Sequence, residues 1–375
     1  MINQDRLVQT FLDLVKIDSP SGHEKAMAEE VAKRLEKLGA AVEFDSYGNV
    51  IGHFEGKGEP FMLNAHLDTV EPGRNIKPIV EHDIIKSDGT TILGADPKAG
   101  VSAILEALTS LNEDTQETVP LDIVFTLGEE NGLYGATYLA YDKIRAKRGI
   151  TFDGEGEPHN IDLSAPGLNR INAIITGRSA HSGVEPEKGI SAIRVASEII
   201  AQLPLGRLDE ETTANVGIIS GGNAWNSVPE KVEFKGEIRS RNLEKLEQYS
   251  LEFHSIANTV LTHYPGAKLD LVIKREFDPY EFTDDHKMIA QIKTIFTELG
   301  KEARLLPSGG GTDVNIFHTH GLETVVIGTG AYEMHTTREY VEIPQMLEAA
   351  QFCEMIVEKM RQENDESRET RENRR

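Results

Sequence analysis

LDIVFTLGEE, residues 121–130, is an apolar-rich run closed by a glycine and two adjacent glutamates. A short, nearly continuous apolar run bounded by a turn residue reads as a strand buried on both faces, the kind from which parallel sheets are made. The same form recurs in PFMLNAHLD (60–68), RGITFDGEG (148–156) and ETVVIGTGAYEMH (323–335), each ending in or near an acid or a histidine. Helical patterns such as VSAILEALTSL (101–111) lie between some of these runs. Strands alternating with helices predict an α/β domain with a mostly parallel central sheet.

Upstream, apolar positions at helical spacing predict helices over 5–16 and 24–38, separated by the turn DSPSGH, with two short strands in AAVEFDS and NVIGHFEG. Between about 168 and 279 the rhythm changes to strand RINAIITGR, helix GISAIRVASEIIAQL, strands TTANVGIIS and KVEFKGEIRS, helix NLEKLEQYSLEFHSIANTVLTHY and strand AKLDLVIKREF. This β-α-β-β-α-β order is that of a ferredoxin-like α+β layer. The expected organisation is therefore a first domain of residues 1–167 and 280–360, interrupted by a second of 168–279. Residues 361–375, with five arginines and five acids, read as a disordered tail.

Composition narrows the function. The chain of 375 residues carries 39 basic and 62 acidic side chains, a net charge of −23 that repels nucleic acid and anionic membranes. The charged, amphipathic N-terminus is neither a signal peptide nor a membrane span, and a single cysteine, Cys353, excludes an internal disulfide framework. A soluble, cytoplasmic protein is expected.

The chemistry sits at the ends of the runs. His66 and Asp68 are two apart, so on a strand they share a face, and the carboxylate can hold the second ring nitrogen of a metal-binding imidazole. In LGADPKAG (93–100), Asp96 fits a helix N-cap and Pro97 the first helical position, which is a sufficient structural account of that octapeptide alone. Glu129 and Glu130 repel one another unless a cation or proton intervenes. Asp153 and His335 close two further runs. In an open α/β sheet the carboxyl ends of the strands face the binding crevice, so these residues gather there. Two histidines with several carboxylates and no thiolate suit zinc, with manganese or cobalt as substitutes, and there are enough of them for two ions with one acid left over as a base.

At this point the sequence resembles the cocatalytic zinc peptidase family that includes peptidase T, carboxypeptidase G, aminoacylase and succinyl-diaminopimelate desuccinylase, and is most similar to its peptidase T-like branch. The resemblance rests on SPSGHE, HLDTV, GADPKAG, GEENGLYGA, TFDGEG, SAHSG, GGNAWNSVPEKVEFKGEIRSRN, GGGTDVNIF and MHTTREYV, in that order. It implies a zinc-exopeptidase-like catalytic domain and an inserted lid and dimerisation domain. It implies that Asp96 bridges two metal ions, that His66 and Asp153 hold one of them, and that Glu130 and His335 hold the other. Glu129 becomes the general base toward a metal-bridging water, and Asp68 the acid that orients His66. In the lid, His181 matches an oxyanion-stabilising histidine, and Asn226 and Arg239 match positions facing the substrate; in the first domain, the glycines of GGGTDVNIF, Gly310 and Gly311 among them, suit backbone donors that approach a substrate terminus. The family joins its bridging aspartate to the next residue by a cis peptide; here that residue is Pro97. A cis bond costs roughly 0.5–1 kcal/mol before proline against about 2.5–4 kcal/mol elsewhere, so Asp96–Pro97 is predicted to be cis.

The function implied is a two-metal exopeptidase on short peptides, removing an N-terminal residue from di- or tripeptides, with a homodimer through the lid. Carboxypeptidase or N-acyl amino acid amidohydrolase activity on the same core is the alternative, and an inactive metal-binding protein is the reading from another class.

Overall fold

The computed structural model describes residues 1–114 and 118–372, with side chains through 363. The chain divides into two compact units, one of Met1–Leu163, Phe282–Ser308 and Thr312–Arg375, the other of Ser164–Glu281 with Gly309–Gly311. The sequence reading sets the insertion at 168–279 and assigns the glycines to the first domain.

In the first unit the strands run in the order Ala41–Phe44, Val50–Phe54, Leu121–Thr126, Phe61–His66, Arg148–Gly154, Glu323–Gly328 and Asn160–Ala165. Phe61–His66 lies parallel between Leu121–Thr126 and Arg148–Gly154, and Glu323–Gly328 joins Arg148–Gly154 in parallel. The outer pairings are antiparallel. Every residue of Phe61–His66 and of Leu121–Thr126 is buried, as continuous apolar runs require. The register sets His66 opposite Thr126, Asn64 opposite Thr151 and Ile327 opposite Phe152. The carboxyl ends of the central strands therefore share one edge.

Helix Ala95–Glu113 packs on this sheet and against Gln4–Val15 and the last helix. It is buried on nearly all sides, so its sequence is apolar all round rather than striped. At Gly100 the helix comes so near the strand Arg148–Gly154 that a Cβ there would stand 2.2 Å from the Phe152 carbonyl oxygen.

Two features differ from the sequence reading. A small four-stranded sheet joins Ala331–Tyr332, Tyr340–Glu342, Ile84–Lys86 and Ile79–Glu81. Its strands are too short for any periodicity to reveal. The last helix, Ile343–Glu372, runs on past 360, where a disordered tail was expected; strong helix formers carry it without an apolar face. Residues 373–375 of that expected tail lie outside the described residues. The Asp96–Pro97 peptide is cis, as expected, and the N-cap account of Asp96 does not apply: that position belongs to Gly94, at φ +72°, and Asp96 has a non-helical backbone at φ −80° and ψ 110°.

The second unit is an antiparallel sheet in the order Gly206–Arg207, Thr212–Gly221, Lys231–Ser240, Gly167–Thr176 and Lys268–Phe277. Helices Ala192–Gln202 and Leu243–Leu261 cover one face through a core that includes Ile171, Ile175, Val195, Ile199, Phe234 and Phe253. Both helices are capped from sequence: the Ser191 hydroxyl accepts from the Arg194 N–H at 3.3 Å, and the Asn242 side chain from the Lys245 N–H at 3.1 Å. This is the ferredoxin-like order. Among the described residues no helix is long and apolar enough to cross a membrane.

Candidate functional site

The strand ends of the first unit bring together His66, Asp68, Asp96, Glu129, Glu130, Asp153 and His335. His66 is the last residue of its strand, Glu129 and Glu130 follow Thr126 through Leu127 and Gly128, and Asp153 lies near the end of Arg148–Gly154. His335 sits in the connection between Ala331–Tyr332 and Tyr340–Glu342, so the small sheet sets its place. Its φ of +63° is left-handed, a conformation that non-glycine residues hold mainly where the surroundings enforce it.

Asp96 is the centre of the arrangement. Its Oδ1 lies 3.0 Å from His66 Nε2 and its Oδ2 lies 3.1 Å from His335 Nε2. Each imidazole nitrogen also faces a second carboxylate: His66 Nε2 is 3.0 Å from Asp153 Oδ1, and His335 Nε2 is 2.9 Å from Glu130 Oε1. Two triads result, His66–Asp96–Asp153 and His335–Asp96–Glu130, sharing the one aspartate through different oxygens. Two ligand atoms about 2.0–2.2 Å from one ion at near-tetrahedral angles are separated by about 3.3–3.6 Å, so these donors stand a few tenths of an ångström closer together than they would around an ion. Among the described residues, the buried Glu130 Oε1 accepts no hydrogen bond of good geometry despite its imidazole neighbour.

Asp68 braces this cluster from behind. Its Oδ1 is 3.3 Å from His66 Nδ1 and accepts the Glu129 N–H at 3.0 Å. Its Oδ2 accepts the Ser21 hydroxyl at 2.6 Å and the Glu130 N–H at 3.2 Å. One buried carboxylate thus orients the histidine and holds the glutamate loop.

The electrostatics follow from crowding acids in a buried place. Burial pushes Glu129 well above the usual carboxylate range; His66 opposes this, while Asp153, Asp313 and Glu130 add to it. Burial would also raise Asp96, but hydrogen bonds from His335 and His66 outweigh it and hold the carboxyl down at about 2. Burial works against a charged His66, and the carboxylates of Asp153, Asp68 and Asp96 overcome it and raise the ring. Asp96 and Glu130 raise His335 to about 10. Positive charge is drawn to the centre from every side.

Two partners of the site are absent from the sequence reading. Ser21 lies in SPSGHE but reveals its role only through Asp68. Asp313, 1% exposed, accepts the Thr126 hydroxyl, and its Oδ1 has no hydrogen-bond partner among the described residues. It follows the glycines of GGGTDVNIF, and the one signal for it is an acid at a helix start. A cleft of about 340 Å³ opens beside Glu130, lined also by Ser21, His23, Thr69, Glu71 and Arg74.

The remaining candidates belong to the second unit. His181 is exposed, and its Nδ1 accepts the Gly183 N–H at 3.2 Å, which leaves the proton of the neutral ring on Nε2. Asn226 lies in the exposed loop whose backbone pairs with the His181 segment, its carbonyl accepting the Ser182 N–H at 3.0 Å. Arg239 makes a bidentate pair with Glu237, at 2.9 and 3.1 Å, so its guanidinium is engaged within its own strand. Gly310 is exposed, and a Cβ there would meet nothing within 4 Å. Gly311 adjoins Thr312, whose side chain caps the helix Asp313–Thr319.

Comparison with known proteins supplies the context. Residues 163–265 match a peptidase dimerisation domain and residues 49–185 match peptidase family M28. The chain is 37% identical over 368 residues to the uncharacterized protein YqjE of Bacillus subtilis (strain 168), spanning 96% of this chain and 99% of that one. The crystal structure of aminopeptidase PepT from Bacillus cereus ATCC 10987 is similar with a TM-score of 0.87 at 36% identity, covering 96% and 99% of the two chains. That of a tripeptidase from Staphylococcus aureus subsp. aureus Mu50 gives 0.91 at 34% identity, covering 96% and 100%. With these likenesses running nearly end to end, the chain belongs to the peptidase T-like branch of the M20 peptidase family.

Proposed function

We propose that the protein is a metal-dependent exopeptidase that releases the N-terminal residue from di- and tripeptides. The observation that carries this is Asp96, one carboxylate offering separate oxygens to two imidazole–carboxylate pairs. The names of the Bacillus cereus aminopeptidase and the Staphylococcus aureus tripeptidase support the substrate class.

The donors fit a pair of divalent ions. Asp96 Oδ1, His66 and Asp153 would hold one, and Asp96 Oδ2, His335 and Glu130 the other. Nitrogen and carboxylate donors without thiolate favour zinc and admit manganese or cobalt. When bound, such ions polarise the scissile carbonyl and make water acidic enough to attack near neutral pH.

The chain's own groups do the rest. Glu129 takes a proton from the attacking water and returns it to the amine nitrogen as that group leaves. Asp68 holds the Glu129 backbone while fixing the His66 ring. His181, with its proton on Nε2, is a donor suited to stabilising the developing oxyanion, and Asn226, Arg239, Gly310 and Gly311 contribute to substrate binding. Arg239 has to exchange Glu237 for a substrate carboxylate to do so. A cytoplasmic setting and a homodimer through the second unit complete the reading.

The test is hydrolysis of a small peptide panel by metal-stripped protein, alone and reloaded with zinc, manganese or cobalt, including N-acetylated and C-amidated versions. Metal-restored release of N-terminal residues from free-amine peptides alone is expected. Cleavage of the acetylated peptides would move the protein to the carboxypeptidase or deacylase reading.

A further inference from the structure

Glu339 stands four residues beyond His335, where the chain enters the strand Tyr340–Glu342. It is 1% exposed, and its carboxylate serves backbone rather than side chains. Oε2 accepts the N–H groups of Leu93 at 2.6 Å and Gly94 at 2.8 Å, and Oε1 accepts that of Asp96 at 3.0 Å. These are the turn that opens the helix Ala95–Glu113, where N–H groups have no partner inside the helix. The turn is an unusual one, left-handed at Gly94 and extended at Asp96. Lys98, fully buried and donating to the Ile17 carbonyl at 3.0 Å, lies nearby; burial lowers it to about 7, and the attraction of Glu339 and Asp18 works against that fall.

Two facts make this more than the capping of a buried turn. The three N–H groups belong to the residues that set the position and rotation of the Asp96 carboxylate, whose two oxygens must face different imidazoles. The acceptor itself grows from the segment that carries His335. One carboxylate therefore joins the backbone under Asp96 to the backbone beside His335, the two residues whose side chains meet at 3.1 Å.

We propose that Glu339 is a positioning residue of the metal centre, holding the Leu93–Asp96 turn so that Asp96 presents one oxygen to His66 and the other to His335. The inference rests on the two-metal reading above. Glutamine is the informative replacement, because it keeps the shape but sets an NH2 group against at least one of the three N–H donors, whichever way the amide is turned.

The experiment is titration of metal-free full-length protein with cobalt(II), read by its visible absorption, alongside zinc affinity measured against a competing chelator and the melting temperature of each metal-free form. The wild type is expected to take up two equivalents. Glu339→Gln is expected to bind at least one of them about 10–100-fold more weakly, with an altered absorption envelope. Wild-type affinity and spectrum in Glu339→Gln, whatever its melting temperature, would reduce the residue to a structural cap and overturn the proposal. A wild type that binds no cobalt would overturn the metal reading and this one together. Should the glutamine variant not fold, Glu339→Asp, which keeps the charge on a shorter arm, is judged by the same criterion.

Discussion

Asp68 and Glu129 divide labour in a way that single substitutions can separate. Glu129 has its backbone held by Asp68 and its side chain at the edge of the His66 cluster, close enough to be counted among ligand-capable groups. If it is the base, Glu129→Gln removes proton transfer and leaves the ions in place. The expected result is a fall in kcat of about 10²–10⁴-fold with metal content unchanged by elemental analysis. Loss of one metal equivalent would make it a ligand instead. The seven residues of this cluster were legible in the sequence because each closes or follows an apolar run and is of a type that binds metal or moves protons. Ser21, Asp313 and Glu339 were not. They pair with a carboxylate, a hydroxyl or backbone N–H groups of segments distant in sequence, and no local pattern records such partnerships.

Elements place the residues, and the tightest constraint on them is the approach of helix Ala95–Glu113 to the strand Arg148–Gly154. Gly100 makes this possible: an added Cβ would stand 2.2 Å from the Phe152 carbonyl oxygen and 2.8 Å from the Phe152 Cβ. The contact involves backbone, so no side-chain rotation relieves it. Gly100→Ala must push apart the helix that begins with Asp96 and the strand that bears Asp153, two groups assigned to the same ion. A loss of about 1–3 kcal/mol in stability is expected from overpacking. Chemical denaturation measures it, and chelator competition should show weakened metal retention in the same variant. Unchanged metal affinity would mean that the helix yields elsewhere. Long, buried strands and amphipathic helices were readable here to within a few residues, because burial on both faces or on one stripe leaves a pattern. The three-residue strands Ile79–Glu81 and Ile84–Lys86 left none: Ile84–Lys86 pairs with Tyr340–Glu342, some 250 residues away, while Ile79–Glu81 pairs only with Ile84–Lys86 among the described residues and is exposed throughout.

At the scale of the whole molecule, the second unit ends in an edge strand that bears a bulge between Val216 and Ile218 but little cover. Gly206–Arg207 pairs only with Thr213 and Ala214, so the rest of Thr212–Gly221 has no strand on its outer side among the described residues of that sheet. Ile218 and Ile219 on this stretch are 60% and 54% exposed. An edge strand with free N–H and C=O groups and apolar side chains pairs readily with another chain, and soluble proteins normally blunt such edges with charge, proline or cover. Antiparallel pairing of the edge with its own copy across a two-fold axis would satisfy the backbone and bury the isoleucines of both protomers. The composition of TTANVGIIS marked it in the sequence as a strand, but its position at the edge follows only from the spatial order of the five strands. The protein is therefore expected to sediment as a dimer at micromolar concentration. Ile218→Lys, which introduces like charges facing each other across the axis, should shift it toward monomer while the Ile171, Val195 and Phe253 core keeps the unit folded. A wild type that sediments as a monomer at every concentration tested would remove the edge from consideration as an interface, and a dimer untouched by the lysine would move the contact to another face of the same unit.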